Sequence, residues 1–322
     1  MSAKRATARP SEPRVVQVEG ARQEGIEGVV APGATLHCLA TGFTFTEGPI
    51  WHPEQNWLVF SDIAESVQWR LRNPLGQSRL EVFRRPSNQA NGNCFDLEGR
   101  IVSCEHASSQ LVLHDHGGKL VRVLASHHGG AELNSPNDVI CDSRGRIWFT
   151  DPAFGRLRED LGILRPQQQP HQAVYRLDPD GTLEAVVTDF QQPNGLCLSA
   201  DETRLFVNDS WGPHIRAFDL GEDGTLSGGE VWAEIGGEGE GVPDGMKLDI
   251  DGRLYCNGPG GVHVFSPEAE HLGVVRTPEK STNFCFGGGA RDRLIVTAST
   301  SVYAIATRSA GAPMIHPAPP AG

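Results

Sequence analysis

Apolar residues in this chain come in short runs broken by Asp, Gly, Asn and Pro, and no helix-length amphipathic stretch interrupts them. One pattern recurs six times: a short apolar strand, a polar turn, and a second apolar strand. The copies are "EGPIWHPEQNWLVFSD", "NGNCFDLEGRIVSCE", "NDVICDSRGRIWFTD", "NGLCLSADETRLFVND", "DGMKLDIDGRLYCNG" and "NFCFGGGARDRLIVTA". Each reads as a β-hairpin. A third strand follows, as in "AVYRLDPDG" and "GVHVFSP", and in five copies a fourth, as in "LEAVVTD" and "EVWAEIG". Four-stranded units repeating every roughly 40–50 residues predict a β-propeller.

The sixth unit runs into a Pro-rich tail without a fourth strand, while "ATLHCLATG" stands unpaired ahead of the first. Lending that N-terminal strand to the last blade closes the ring and covers both edges. The pattern therefore predicts an all-β fold, one six-bladed β-propeller of four-stranded antiparallel blades over residues 31–307. Residues 1–30 are expected to be a disordered or extended segment and 308–322 a disordered tail.

Composition sharpens this picture. The 322 residues could make one large β domain or two ordinary domains, and the repeats decide for one. With 28 basic and 40 acidic residues the formal charge is −12, which argues against nucleic acid or an anionic membrane as partner and suits a protein that holds a cation. No apolar window approaches the length of a membrane span, and no secretory h-region follows the basic start. The seven cysteines are scattered without C-x-x-C spacing, mostly inside apolar runs, where a thiol behaves as a small hydrophobe. A reducing, cytoplasmic setting is expected.

Candidate chemistry emerges when the hairpins are aligned. Their first residues are Glu47, Asn91, Asn137, Asn194, Asp244 and Asn283, and every one carries a side-chain oxygen. Innermost strands of a propeller converge on its axis, so these six form a column at one mouth. The antiparallel second strand returns to the same end with Asp62, Glu105, Asp151 and Asp209, then Gly258 and Ala298. Turn chemistry alone favours Asn and Asp at such places. Carboxylates packed together, however, repel or take up protons unless a cation joins them. Oxygen donors of this kind suit Ca²⁺, with Mg²⁺, Mn²⁺ or Zn²⁺ as alternatives, although zinc favours the His or Cys that the column lacks.

The motifs "TEGPIW", "NSPNDV", "QPNGLCLS" and "VPDGMKLD", in successive blades, resemble the regucalcin/gluconolactonase/luciferin-regenerating-enzyme family over roughly residues 35–305. "CEH" and "FTDPAFG" resemble its bacterial gluconolactonase-like branch. The resemblance implies a six-bladed propeller with a catalytic divalent metal, usually Ca²⁺, that hydrolyses lactones of sugar acids, as in D-glucono-1,5-lactone to D-gluconate. It implies metal ligation by Glu47, Asn137, Asn194 and Asp244, with Asn137 also facing the substrate and Asp244 as general base. Glu105, His106 and Trp211 are candidates for substrate contact. Asp151 and Asp209 are candidates for supporting the ligands from behind, for a second, structural Ca²⁺, or for capping turns.

Two features depart from the family pattern. Ser135 stands where the regucalcin branch has a substrate-anchoring Arg, and the third blade carries the insert "GRLREDLGILRPQQQPHQ", either a flap beside the mouth or a surface loop. His127 and His128 read as loop residues. No G-x-S-x-G elbow supports a serine-hydrolase mechanism. The rival readings are phosphotriester hydrolysis on the same metal-centred design, a calcium-binding regulator, and a protein-binding scaffold. The motifs do not specify which lactone is used or the oligomeric state.

Overall fold

The computed structural model describes residues 26–31 and 33–312, together with the backbone of a strand at Arg14–Arg22. Six antiparallel sheets follow one another along the chain. Their first strands are Thr46–His52, Ala90–Phe95, Val139–Cys141, Pro193–Leu198, Met246–Leu248 and Ser281–Gly287. Each of these touches the first strands of both neighbouring sheets, so the series closes into a six-bladed propeller with the first strands innermost.

The sixth blade closes as the sequence predicts: Thr35–Thr41 pairs antiparallel with Ser301–Ala306. Arg14–Arg22 adds a fifth strand outside it, within the stretch read from the sequence as extended or disordered. Residues 1–13 and 313–322 lie outside the described residues. The chain remains attached beyond 307, because Arg308 N–H donates to the Val29 carbonyl (2.8 Å) and Ala312 N–H to that of Leu248 (2.9 Å). Among the described residues the only helix is a single turn, Phe154–Leu157, at the start of the third-blade insert.

Six apolar clusters fill the six seams between blades. Side chains alternate across a strand, so consecutive large residues serve opposite seams. Phe149 packs toward the second blade and Trp148 toward the fourth. Tyr255 likewise faces the sixth blade, and its neighbours Leu254 and Cys256 face the fourth. This is why the second strands read as nearly unbroken apolar runs: both faces are covered. Burying one such side chain stabilises by roughly 1.5–3 kcal/mol.

Polar stitches hold the inner strands in register. Ser61 Oγ donates to the Asn91 carbonyl (2.7 Å), Thr150 Oγ1 to that of Asn194 (2.7 Å) and Asn208 Nδ2 to that of Asp244 (2.5 Å). Each stitch runs from the second strand of one blade to the leading inner residue of the next. Glycine follows the leading residue in four blades because the neighbours sit so close. A Cβ on Gly48 would lie 2.0 Å from the Asn91 carbonyl oxygen, and one on Gly195 would lie 2.1 Å from that of Asp244.

The returning carboxylates have a different task. Asp62 pairs in register with Thr46 and not with Glu47, so its side chain points away from that of Glu47. It accepts the N–H groups of Thr44 (3.2 Å) and Phe45 (2.9 Å), just ahead of the inner strand. Asp209 does the same for Gln191 (2.7 Å) and Gln192 (3.0 Å), and Asp151 for Asn134 (2.7 Å). Each therefore pins the loop that delivers the leading residue to the mouth.

Two predictions follow from this packing. Gly195→Ala should lose about 1–3 kcal/mol of stability, the usual range for overpacking, in thermal or denaturant unfolding. Gly236→Ala, which meets nothing within 4 Å, should be nearly silent. Burial pushes the Asp151 carboxyl up to about 7, and its Oδ1 has no hydrogen-bond partner. Because this lies above the unfolded value of about 4, the stability it contributes is complete at low pH and is lost as pH rises through about 7. Asp151→Asn should accordingly melt above the parent protein at pH 8 but not at pH 5, and an equal difference at both would contradict this.

Candidate metal centre

Glu47, Asn91, Asn137, Asn194, Asp244 and Asn283 all stand at the same end of the ring, at or just ahead of their inner strands. All are buried, from 2 % exposed at Glu47 to 7 % at Asp244. The six oxygen-bearing residues read from the sequence are thus buried at one end of the ring.

Its electrostatics are unfavourable without compensation. Burial pushes the Glu47 carboxyl up to about 7, against a hydrogen bond from Gly48 N–H (2.7 Å) that favours the ionised form. Burial also raises Asp244 well above the usual carboxylate range, with repulsion from Glu47 as the next cause. The amide of Asn283 supports Glu47 and that of Asn194 supports Asp244. Asn194 Nδ2 also donates to Ser210 Oγ (3.0 Å), which sets its amide plane.

A third acid lies near enough to act on both Glu47 and Asp244, outside the pair itself, and the sequence reading did not single it out. Asp138 is buried, its carboxyl is raised by desolvation, and Lys247 Nζ lies 3.8 Å from Oδ2. Its position carried a signal: it follows a leading residue where the first, second, fourth and fifth blades have Gly. Beyond Lys247 the channel continues as a cavity of about 140 Å³ with mostly apolar walls, including Ile50, Cys197 and Phe286. The oxygen donors are concentrated at the other end.

Other sequence candidates lie elsewhere. Glu105 is engaged by Arg84 Nη1 (2.6 Å) and Asn88 Nδ2 (2.8 Å) instead of facing the mouth. Asp151 and Asp209 bind loop N–H groups, as described above. His106 is fully buried with partners at both ring nitrogens, so it offers no free edge to a substrate, and burial lowers it to about 4. Trp211, 57 % exposed and next but one to Asp209, is the open aromatic on this rim. His127–His128 form a two-residue strand paired with Ala131–Glu132. Ser135 is sealed beneath the insert, donating to the Pro152 carbonyl (2.6 Å) and accepting from Gly155 N–H (3.0 Å).

Among the described residues, no three Asp, Glu, His or Cys side chains converge in a metal-holding group. The column's donor set is instead two carboxylates, Glu47 and Asp244, surrounded by carboxamides. Asn91 Oδ1 is buried there without a hydrogen-bond partner. Carboxylates raised by burial and, at Asp244, by repulsion from Glu47, together with the unpartnered Asn91 oxygen, fit a hard divalent cation; they do not fit a thiolate- or imidazole-seeking metal.

Comparison with known proteins agrees with this architecture. Over 308 residues the chain is 28 % identical to a gluconolactonase of Zymomonas mobilis, covering 89 % of this chain and 85 % of that one. It is 29 % identical to a pentonolactonase of Haloferax volcanii, covering 78 % and 80 %. The solved structure of a Xanthomonas campestris gluconolactonase matches with a TM-score of 0.81 at 30 % identity, over 95 % of this chain and 98 % of that one. Residues 45–300 match the family described as the SMP-30/Gluconolactonase/LRE-like region, and the chain belongs to that family.

Proposed function

We propose that this protein is a divalent-cation-dependent hydrolase that opens the lactone ring of a sugar acid, with D-glucono-1,5-lactone as the representative substrate and D-gluconate as product. The observation that carries this reading is the crowding of buried Glu47 and Asp244 among carboxamides at one channel mouth. Relatives of near-equal length that are named gluconolactonase and pentonolactonase support the same chemistry.

Glu47, Asn137, Asn194 and Asp244 would hold the cation, most simply Ca²⁺ given all-oxygen donors. When bound, the cation supplies charge that polarises the ring carbonyl and offsets the negative charge developing on its oxygen. The side chains do the rest. Asn137 orients the lactone through its carboxamide. Asp244, whose carboxylate the Asn194 amide supports, accepts the proton of the attacking water. Trp211 provides an apolar face on the rim against which a sugar ring can stack.

All seven cysteines are free, which supports a reducing, cytoplasmic setting. Among the described residues no helix is long and apolar enough to cross a membrane.

Purified protein is expected to hydrolyse D-glucono-1,5-lactone, to lose that activity on exhaustive chelation, and to regain it with Ca²⁺. Indifference to chelation would reject the cation. Asp244→Asn and Glu47→Gln should each lower kcat/KM by about 10²–10⁴-fold, the range expected for loss of a general base or of the site that charges it. Unchanged far-UV circular dichroism should show that the blades persist.

A further inference from the structure

The third-blade insert is built into the rim beside the mouth. The guanidinium of Arg156 is fully buried and donates to Glu132 Oε2 (2.6 Å), the Asn134 carbonyl (2.8 Å) and the Pro166 carbonyl (2.7 Å). This clamp brings the Leu161 carbonyl to 2.9 Å from His106 Nδ1. Close approach is possible because Gly155 lies in between: a Cβ there would be 2.7 Å from the Cβ of His106 and 2.8 Å from that of Ser135. Gly162 packs as tightly on Gly155, where a Cβ would meet the carbonyl oxygen at 2.0 Å.

These contacts determine the state of the imidazole. A carbonyl oxygen only accepts, so Nδ1 carries the hydrogen. The other nitrogen, Nε2, lies 3.3 Å from Asn91 Nδ2, and in the neutral ring it is the acceptor of that amide's hydrogen. Turning the Asn91 amide over would set its oxygen against the Nε2 lone pair. Asn91 is thus fixed with Oδ1 directed away from the ring, buried and without a hydrogen-bond partner. Its place in the column is between Glu47 and Asn137: Gly48 abuts the Asn91 carbonyl, and Gly92 N–H donates to that of Asn137 (2.8 Å).

We propose that His106 is a positioning residue, held as its Nδ1–H tautomer by the Leu161 carbonyl of the insert, and that it orients Asn91 so that Oδ1 serves as an additional oxygen donor to the cation at the mouth. The inference rests on the lactonase reading, and it makes the insert part of the metal centre through a relay of two hydrogen bonds.

Calorimetric Ca²⁺ titration of the full chain tests it. In His106→Gln the side-chain oxygen reaches the Nε2 position and can still accept from Asn91, whereas the shorter side chain of His106→Asn reaches only toward Leu161. His106→Asn and Asn91→Ala should each weaken Ca²⁺ binding about 10-fold or more, and His106→Gln should stay within about threefold of the parent, as for outer partners that orient a ligand. Parent-like Ca²⁺ affinity in folded His106→Asn, with binding abolished in Glu47→Gln, overturns the relay and leaves the lactonase reading standing. Parent-like binding in Glu47→Gln overturns that reading and the relay together. Should His106→Asn fail to fold, ¹⁵N NMR of the parent's histidines decides: the Nδ1–H signature at His106 supports the relay and Nε2–H overturns it.

Discussion

Six inner strands converge so closely that, in four blades, the residue after the leading position has no room for a Cβ. This steric limit governs much of what surrounds it. It forces backbone carbonyls of one blade onto the inner strand of the next, where Ser61, Thr150 and Asn208 satisfy them. It also brings Glu47 close enough to Asp244 for the two carboxylates to repel. A buried like-charge pair of this kind is costly in isolation. The fold tolerates it because the apolar seams behind it, such as the one containing Trp148, Leu196 and Val207, supply the stability. The geometry that strains the carboxylates is also what would make them effective together on a positive charge.

Much of this was legible in the sequence, for a simple reason. Hairpins with both faces buried advertise themselves as apolar runs bounded by turn residues, and six of them in phase admit few architectures. The leading residues were legible because they recur at one place in that phase. The returning carboxylates recur equally well, so their recurrence left open whether they bind a metal, support the ligands or cap turns. What separates the two sets is the pleat: Asp62 stands opposite Thr46, one step out of phase with Glu47, and so faces the supporting loop. Sequence order records that both lie at one end of the blade, but not which side of the strand they occupy. Asp138 was missed for a related reason, since its meaning lies in replacing the Gly found at that step in other blades.

The insert was the least readable element. Nothing in "GRLREDLGILRPQQQPHQ" announces that Arg156 would be buried or that Leu161 would offer its carbonyl to a histidine more than fifty residues earlier. Its place in the structure bears on substrate recognition as well. Ser135 lies under the insert, bound to Pro152 and Gly155, so this position cannot reach a ligand as an arginine would. Other groups on the rim remain accessible, and among them Trp211 is an open aromatic.

The sixth blade joins strands from opposite ends of the polypeptide, with Thr35–Thr41 alongside Ser301–Ala306. A chain still emerging from the ribosome can pair the strands of its earlier blades as they appear, but Thr35–Thr41 must wait for Ser301–Ala306, the last of the described strands to be made. Glu47 and Asn283, which meet across that final seam, come together only when the circle is shut. A truncated or nascent product would therefore be a row of hairpins without a working centre, and catalytic competence would arrive in a single step at the end of synthesis.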